Sequence, residues 1–164
     1  MVSVTYGAAR DTTPAELAAF YERVKHDCDV AERNRIPDML ARSAAFVAAR
    51  VDGQLVGIAR GVTDGVRGYF AECKLDPVYQ GPASVTRIDG RIEHDAYGIA
   101  AEMARRVIDG LVAHGVGRID VVAWGTEADF LEELGFRRHG GLVGLTLRPD
   151  AARAASPAVT AAAP

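Results

Sequence analysis

The chain has 164 residues, 49% of them hydrophobic and 25% charged, enough for one soluble domain with a sizeable core. A net charge of −3 gives no basic footprint for nucleic acid. No apolar run approaches the ~20 residues that span a bilayer, and the opening MVSVTYGAARDTT lacks the charged and apolar regions of a signal peptide, so a cytoplasmic protein is expected.

Residues 2–9 (VSVTYGAA) read as a short strand. TTPAELAAFYERV predicts a helix: Thr13 caps it, Pro14 suits the first helical position and Glu16 completes a capping box. Leu17, Phe20, Tyr21 and Val24 then recur at helical spacing. KHDCDVAERNRIPDMLARS is polar and broken at Pro37, which suggests a loop with a short second helix. AAFVAARV and LVGIARGV are strand-like and joined at Asp52-Gly53, a strong hairpin signal. The turn TDGVRG leads to a further strand, YFAECKL. GIAAEMARRVIDGLVAHG is an amphipathic helix, with Ile99, Met103, Val107 and Leu111 four apart on one face. RIDVVAW reads as a strand buried on both faces. TEADFLEELGF is a short helix stopped by Gly135, and GLVGLTL closes as a strand. The order β-α-α-β-β-β-α-β-α-β predicts one α/β domain with a mixed sheet over residues 1–149. Residues 150–164, rich in alanine and proline, read as a disordered tail.

Several segments, in this order, resemble the GNAT-fold N-acetyltransferase superfamily. VDGQLVGIARGVTDG is similar to its second and third strands with their turns. LDPVYQG is similar to the end of its fourth strand and the first half of its acyl-CoA loop. GIAAEMARRVIDGL is similar to the helix that follows, and FLEELGF to the last helix, usually F-Y-x-x-L-G-F. The resemblance covers residues 2–148. It implies a mixed, mostly antiparallel sheet flanked by helices, with strands four and five splayed at their ends. It also implies acetyl-CoA or another acyl-CoA as co-substrate, a small-molecule amine as acceptor and, by analogy, a homodimer. The strand-four backbone holds the pantetheine arm in this family, and the start of the next helix holds the pyrophosphate. A strand-four carboxylate commonly takes the amine's proton, and a tyrosine in the last helix protonates the thiolate.

Carried onto this chain, the resemblance makes Glu72 the general base. Period-two alternation puts Phe70, Glu72, Lys74 and Asp76 on one face, so a carboxylate paired with Lys74 is the alternative. Cys73, Lys74 and Leu75 would hold pantetheine through their backbone, and Gly98, Ile99, Ala100 and Ala101 would receive the phosphates. Cys73 itself reads as a buried small hydrophobe.

Two features depart from the family pattern. The position of the acid tyrosine is Leu131, which has no proton to donate. The acyl-CoA loop is interrupted after Gln80-Gly81 by PASVTRIDGRIEHDAY, in which VTRI-DG-RIEH reads as an inserted hairpin. Long segments at such places are often lids, so Arg87, Arg91, His94 and Tyr97 are candidate substrate residues, although the charges here would also suit a solvated hairpin. The family's usual Asn after strand five is replaced near Trp124, which reads as a core residue. His26, Asp27, Cys28 and Asp29 lack metal-ligand spacing, so no metal is expected. In the family this loop lines the acceptor side. The leading expectation is N-acyl transfer from acyl-CoA to a small-molecule amine. The alternative is a GNAT-fold protein that has lost CoA-dependent transfer and binds a ligand, or runs other chemistry, in the same cleft.

Overall fold

The computed structural model describes residues 3–82 and 89–148. Its strands are β1 (Val4–Gly7), β2 (Ala45–Val51), β3 (Gln54–Thr63), β4 (Gly68–Leu75) and β5 (Ile119–Val121). Its helices are α1 (Pro14–Arg23), α2 (Val30–Asn34), α3 (Ile36–Arg42), α4 (Ile99–Ala113) and α5 (Ala128–Glu133). The five strands form one sheet in sequence order, antiparallel throughout except for the parallel pair β4–β5. This is the mixed, mostly antiparallel α/β architecture that the sequence predicts.

Strand alternation builds a core on each face of the sheet. In β2, Val47 and Ala49 turn towards α4, whereas Phe46 and Ala48 turn towards α1 and α3. The larger core holds Met103, Val107 and Leu111 of α4 against Val56, Phe70 and Leu75. Each such side chain contributes about 1.5–3 kcal/mol by leaving water. Two glycines in β3 let α4 lie close: a Cβ at Gly57 would stand 2.8 Å from Met103 Cε, and one at Gly61 2.7 Å from Leu111 Cδ1. The second core holds Leu17, Phe20, Tyr21 and Val24 with Ile36 and Ile58.

Local signals fix the frame around these cores. Thr13 accepts a hydrogen bond from Glu16 N–H at 3.1 Å and so caps α1. The Glu16 carboxylate does not close the predicted capping box. It takes a two-pronged contact from Arg50 of β2, both bonds at 2.9 Å, and Arg50 holds it below the usual carboxylate range. Asp52 and Gly53, both at positive φ, make the tight β2–β3 turn. Pro37 sits in the first turn of α3 rather than breaking a single helix, so residues 25–43 hold two short helices, not one.

Three expectations change on the far edge. β5 has only three residues, all half-buried, and Val122 beyond it is 90% exposed, so RIDVVAW is not buried on both faces. GLVGLTL forms no strand: Leu142, Val143, Leu145 and Leu147 are exposed, because β5 ends before it can offer a ladder to that segment. Trp124 is 62% exposed and is not a core residue. The expected inserted hairpin lies partly outside the described residues. Residues 85–88 lie outside the described residues, as do 149–164. Asp89 and Gly90 turn with positive φ, but residues 91–94 form no strand.

Candidate functional site

β4 carries a bulge where it leaves β5. Arg60 pairs with Glu72 and Gly61 with Phe70, so Ala71 is the extra residue. The bulge breaks the predicted alternation. Phe70 and Leu75 belong to the α4-side core, whereas Glu72 turns to the opposite face, towards α1. The pairing of β4 with β5 covers only Gly68, Tyr69 and Phe70, so the two strands part immediately afterwards.

Two cavities meet at this parting. A cleft of about 290 Å³ lies between the diverging strands, with Glu72, Cys73 and Lys74 on one side and Val122, Trp124 and Leu131 on the other. A pocket of about 520 Å³ lies between α1, α2, α3 and β4, bordered by Tyr21, Asp27, Glu32 and Met39. His26, Arg60 and Glu72 line both.

The chemistry of these three residues differs. Glu72 Oε2 accepts hydrogen bonds from Arg60 Nε at 2.9 Å and from Tyr21 O–H at 3.0 Å. Its partner is therefore Arg60, not Lys74. Burial and the Glu72 charge raise the Tyr21 pKa far above its ordinary value, so Tyr21 stays protonated and donates to Glu72. The His26 ring lies on Tyr21, centroids 4.7 Å apart, and is half-buried. Burial, helped by the Lys74 charge, lowers its pKa below 6.5. His26 is thus a neutral imidazole at neutral pH. Neither ring nitrogen has a hydrogen-bond partner among the described residues. Burial pushes the Cys73 thiol well up, so it is no thiolate, as its reading as a small hydrophobe expects.

The other side of the cleft is crossed by the chain itself. Leu75 N–H donates to the Gly90 carbonyl at 2.8 Å, and Lys74 Nζ to the Asp89 carbonyl at 2.6 Å. Ile92 is fully buried, packed in the larger core. Gln80, also fully buried, clamps this segment: its Nε2 donates to the Leu75 and Arg91 carbonyls, both at 2.9 Å, and its Oε1 accepts from Glu93 N–H at 3.0 Å. Asp95 then turns its carboxylate onto the start of α4 and accepts Ala100 N–H at 3.0 Å and Ala101 N–H at 2.8 Å. Arg91 grips Asp89 through two bonds of 2.9 and 2.7 Å and stacks 4.4 Å from the centre of the Trp124 ring, roofing the cleft. Burial alone would raise the Asp89 carboxyl, but the Arg91 hydrogen bonds and the Lys74 charge outweigh it and hold it below the usual range. Beyond the segment lies a cavity of about 590 Å³ that includes Glu93, Asp95, Asp129 and Glu133 with Arg105.

Comparison with solved structures places this geometry. A protein of Deinococcus radiodurans R1, provisionally assigned as an acetyltransferase, superposes with a TM-score of 0.60 at 23% identity over 96% of this chain and 100% of its own. The chain has the GNAT acetyltransferase fold. An aminoglycoside N-acetyltransferase in complex with CoA matches with a TM-score of 0.63 at 11% identity, covering 90% of this chain and 95% of its own. An aminoglycoside acetyltransferase from an uncultured soil metagenomic sample, in complex with sisomicin, matches with a TM-score of 0.61 at 12% identity over 90% and 95%. No protein-family model matches the chain, and no curated protein matches it significantly.

Within the GNAT frame the expected residues separate. Glu72, Cys73 and Lys74 line the cleft, and Leu75 lies behind it in the core. Gly98 and Ala101 border the outer cavity, while Ile99 and Ala100 are buried under it. Of the expected substrate residues, Arg91 roofs the cleft and His94 borders the outer cavity. Tyr97 is exposed away from both pockets beside β4, and Arg87 lies outside the described residues. Among the described residues no group of three or more His, Cys, Asp or Glu could hold a metal. Sequence reasoning passed over Arg60 and weighed His26 only as a metal ligand. The first had a visible signal, a single charge inside the otherwise apolar strand LVGIARGV. The second lay in the loop that the resemblance sets on the acceptor side, but nothing local separates a histidine that faces a pocket from one that faces water.

Proposed function

We propose that the protein is an N-acyltransferase acting on a small-molecule amine, with an acyl thioester such as acetyl-CoA as donor. The observation that carries this reading is the meeting of cleft and pocket at His26, Arg60 and Glu72, where β4 and β5 part. The pocket takes the amine: Asp27, Glu32 and Glu72 border it, against Arg35 and Arg60, so it can hold the ammonium of an acceptor that also carries an anionic or polar group. The amine nitrogen attacks the acyl carbonyl from the pocket side. His26, neutral and accessible, takes the proton that the nitrogen sheds. Glu72, held by Arg60 and Tyr21, stabilises the resulting imidazolium by its charge rather than acting as the base. The tetrahedral adduct collapses with cleavage of its C–S bond, and the sulfur leaves as the thiolate, because Leu131 has no proton to donate. Two free cysteines, and the lack among the described residues of any helix long and apolar enough to cross a membrane, support a cytoplasmic setting.

The test is thiol release from acetyl-CoA in the presence of primary amines, including an aminoglycoside such as sisomicin, with mass spectrometry of the amine. Amine-dependent release that His26→Ala abolishes supports the reading. Absence of any acetylated amine across aminoglycosides, polyamines and amino acids contradicts it.

One observation favours a second reading, a GNAT-fold protein that has lost CoA-dependent transfer and uses the cleft for another ligand. The backbone amides that the family offers to the donor, at Leu75, Ala100 and Ala101, are already bonded to this chain's own Gly90 and Asp95. In this arrangement the groove does not fit CoA.

A further inference from the structure

Resting on the acyltransferase reading, we propose that residues 89–98 form an internal competitor for the acyl donor: a strap that occupies the donor groove and must leave it before acyl-CoA can bind. Three independent features match the strap to what it displaces. The Gly90 carbonyl takes the Leu75 amide at 2.8 Å, the strand-four backbone position where a pantetheine amide would bond. The Asp95 carboxylate takes the Ala100 and Ala101 amides at 3.0 and 2.8 Å, so an internal anion sits where a pyrophosphate would meet the positive end of α4. Ile92 fills the apolar floor between them and is fully buried.

The strap is held by contacts that can be exchanged rather than by continuous strand pairing. Residues 91–97 have no ladder to either neighbouring strand. Their backbone is held largely by side chains: Gln80 binds the Arg91 carbonyl and the Glu93 amide, and Glu127 Oε1 accepts Ile92 N–H at 3.3 Å. Each of these bonds, and the helix cap at Asp95, has a counterpart that a donor amide or phosphate oxygen could supply. The outer cavity adds a second barrier, because Asp95, Asp129 and Glu133 border it beside Arg105, and Asp129 is already paired with Arg138 at 3.2 Å. Withdrawal of the strap carries Glu93 and Asp95 away and leaves Arg105 and the bare α4 amides for the phosphates. Donor binding is thereby coupled to strap release, and a ligand or partner that captures the released strap would activate the enzyme.

The experiment is calorimetric titration of acetyl-CoA into the full chain and three variants: Asp95→Ala, Asp95→Asn and Asp129→Ala. Asp95→Ala frees the α4 amides and loosens the strap. Asp129→Ala removes an equal charge from the same cavity without touching the strap. The proposal predicts at least tenfold tighter binding for Asp95→Ala than for wild type, and less than threefold change for Asp129→Ala. Asp95→Asn, which keeps the side-chain shape, falls between them and serves if Asp95→Ala does not fold. Equal gains in the Asp95 and Asp129 variants would mean that charge alone governs affinity, and the strap proposal fails. Wild type binding as tightly as Asp95→Ala also overturns the strap while leaving acyl transfer intact. Folded variants that take up no acetyl-CoA at millimolar concentration overturn both.

Discussion

On the side of the cleft proposed for the acceptor, His26, Arg60 and Glu72 surround open space, and neither His26 ring nitrogen is engaged among the described residues. On the donor side, the amides of Leu75, Ala100 and Ala101 are all engaged, and every partner comes from residues 89–98. One bank is poised for a ligand and the other is filled by the chain. The difference teaches that one cleft can stay open on one bank while the chain itself closes the other. The closure comes from a single connection, between β4 and α4, and not from the sheet.

The comparison can be broken first on the open bank. His26→Ala should lower amine-dependent turnover by about 10²–10⁴-fold, the usual contribution of a general base. Because burial and Lys74 depress the His26 pKa, the acidic limb of the wild-type rate profile should fall below pH 6.5 and disappear in the variant. A profile that keeps its limb after the substitution would assign the base elsewhere, with Glu72 the next candidate.

On the filled bank, Ile92→Ala should destabilise the protein by about 2–5 kcal/mol in denaturant unfolding, as for other fully buried aliphatic side chains. A loss below about 0.5 kcal/mol, the level of surface substitutions, would mean that Ile92 does not pack in the groove. Asp95→Ala should cost roughly 1 kcal/mol, the worth of a helix cap, and lower the melting temperature by about 2–4 °C. Loss of more than this would indicate that the strap is an integral part of the core rather than an exchangeable occupant.

The smallest effect is a pH dependence of stability. In the unfolded chain histidine titrates near pH 6.5, whereas His26 in the fold titrates lower, so between those values the unfolded state binds more protons. Stability due to neutral His26 is complete above that window and is lost as pH falls through it. His26→Gln should flatten the slope just below pH 6.5 in denaturation curves measured at a series of pH values. An unchanged slope would show that His26 is not perturbed by burial.

Much of the frame was legible in the sequence because local rules coincided with tertiary ones. Thr13-Pro14, Asp52-Gly53 and the spacing of Ile99, Met103, Val107 and Leu111 each mark structure within a few residues. The far edge was less legible. GLVGLTL has the composition of a strand, but strand formation needs a partner ladder, and β5 ends at Val121. The site was legible as a place and not as a wiring. Glu72 was visible as a carboxylate on strand four, but the bulge at Ala71 and the pairing with Arg60 depend on a strand ten or more residues away. In the sequence Asp95 is one charge among several in the stretch that interrupts the acyl-CoA loop. Only the fold shows it bonded to the very amides that a pyrophosphate would seek. Gln80 belongs to LDPVYQG, the segment that resembles the first half of the acyl-CoA loop, yet here its side chain holds the chain's own backbone.

Amide hydrogen exchange of the unliganded protein tests the central claim, that the donor groove is filled by residues 89–98. The amides of Leu75, Glu93, Ala96, Ala100 and Ala101 are hydrogen-bonded in the strap arrangement, so they should exchange many times more slowly than unstructured peptide amides and at similar rates to one another. Exchange of Glu93 and Ala96 at unprotected rates, with Leu75 equally open, would mean that the groove stands empty and that the strap does not occupy it.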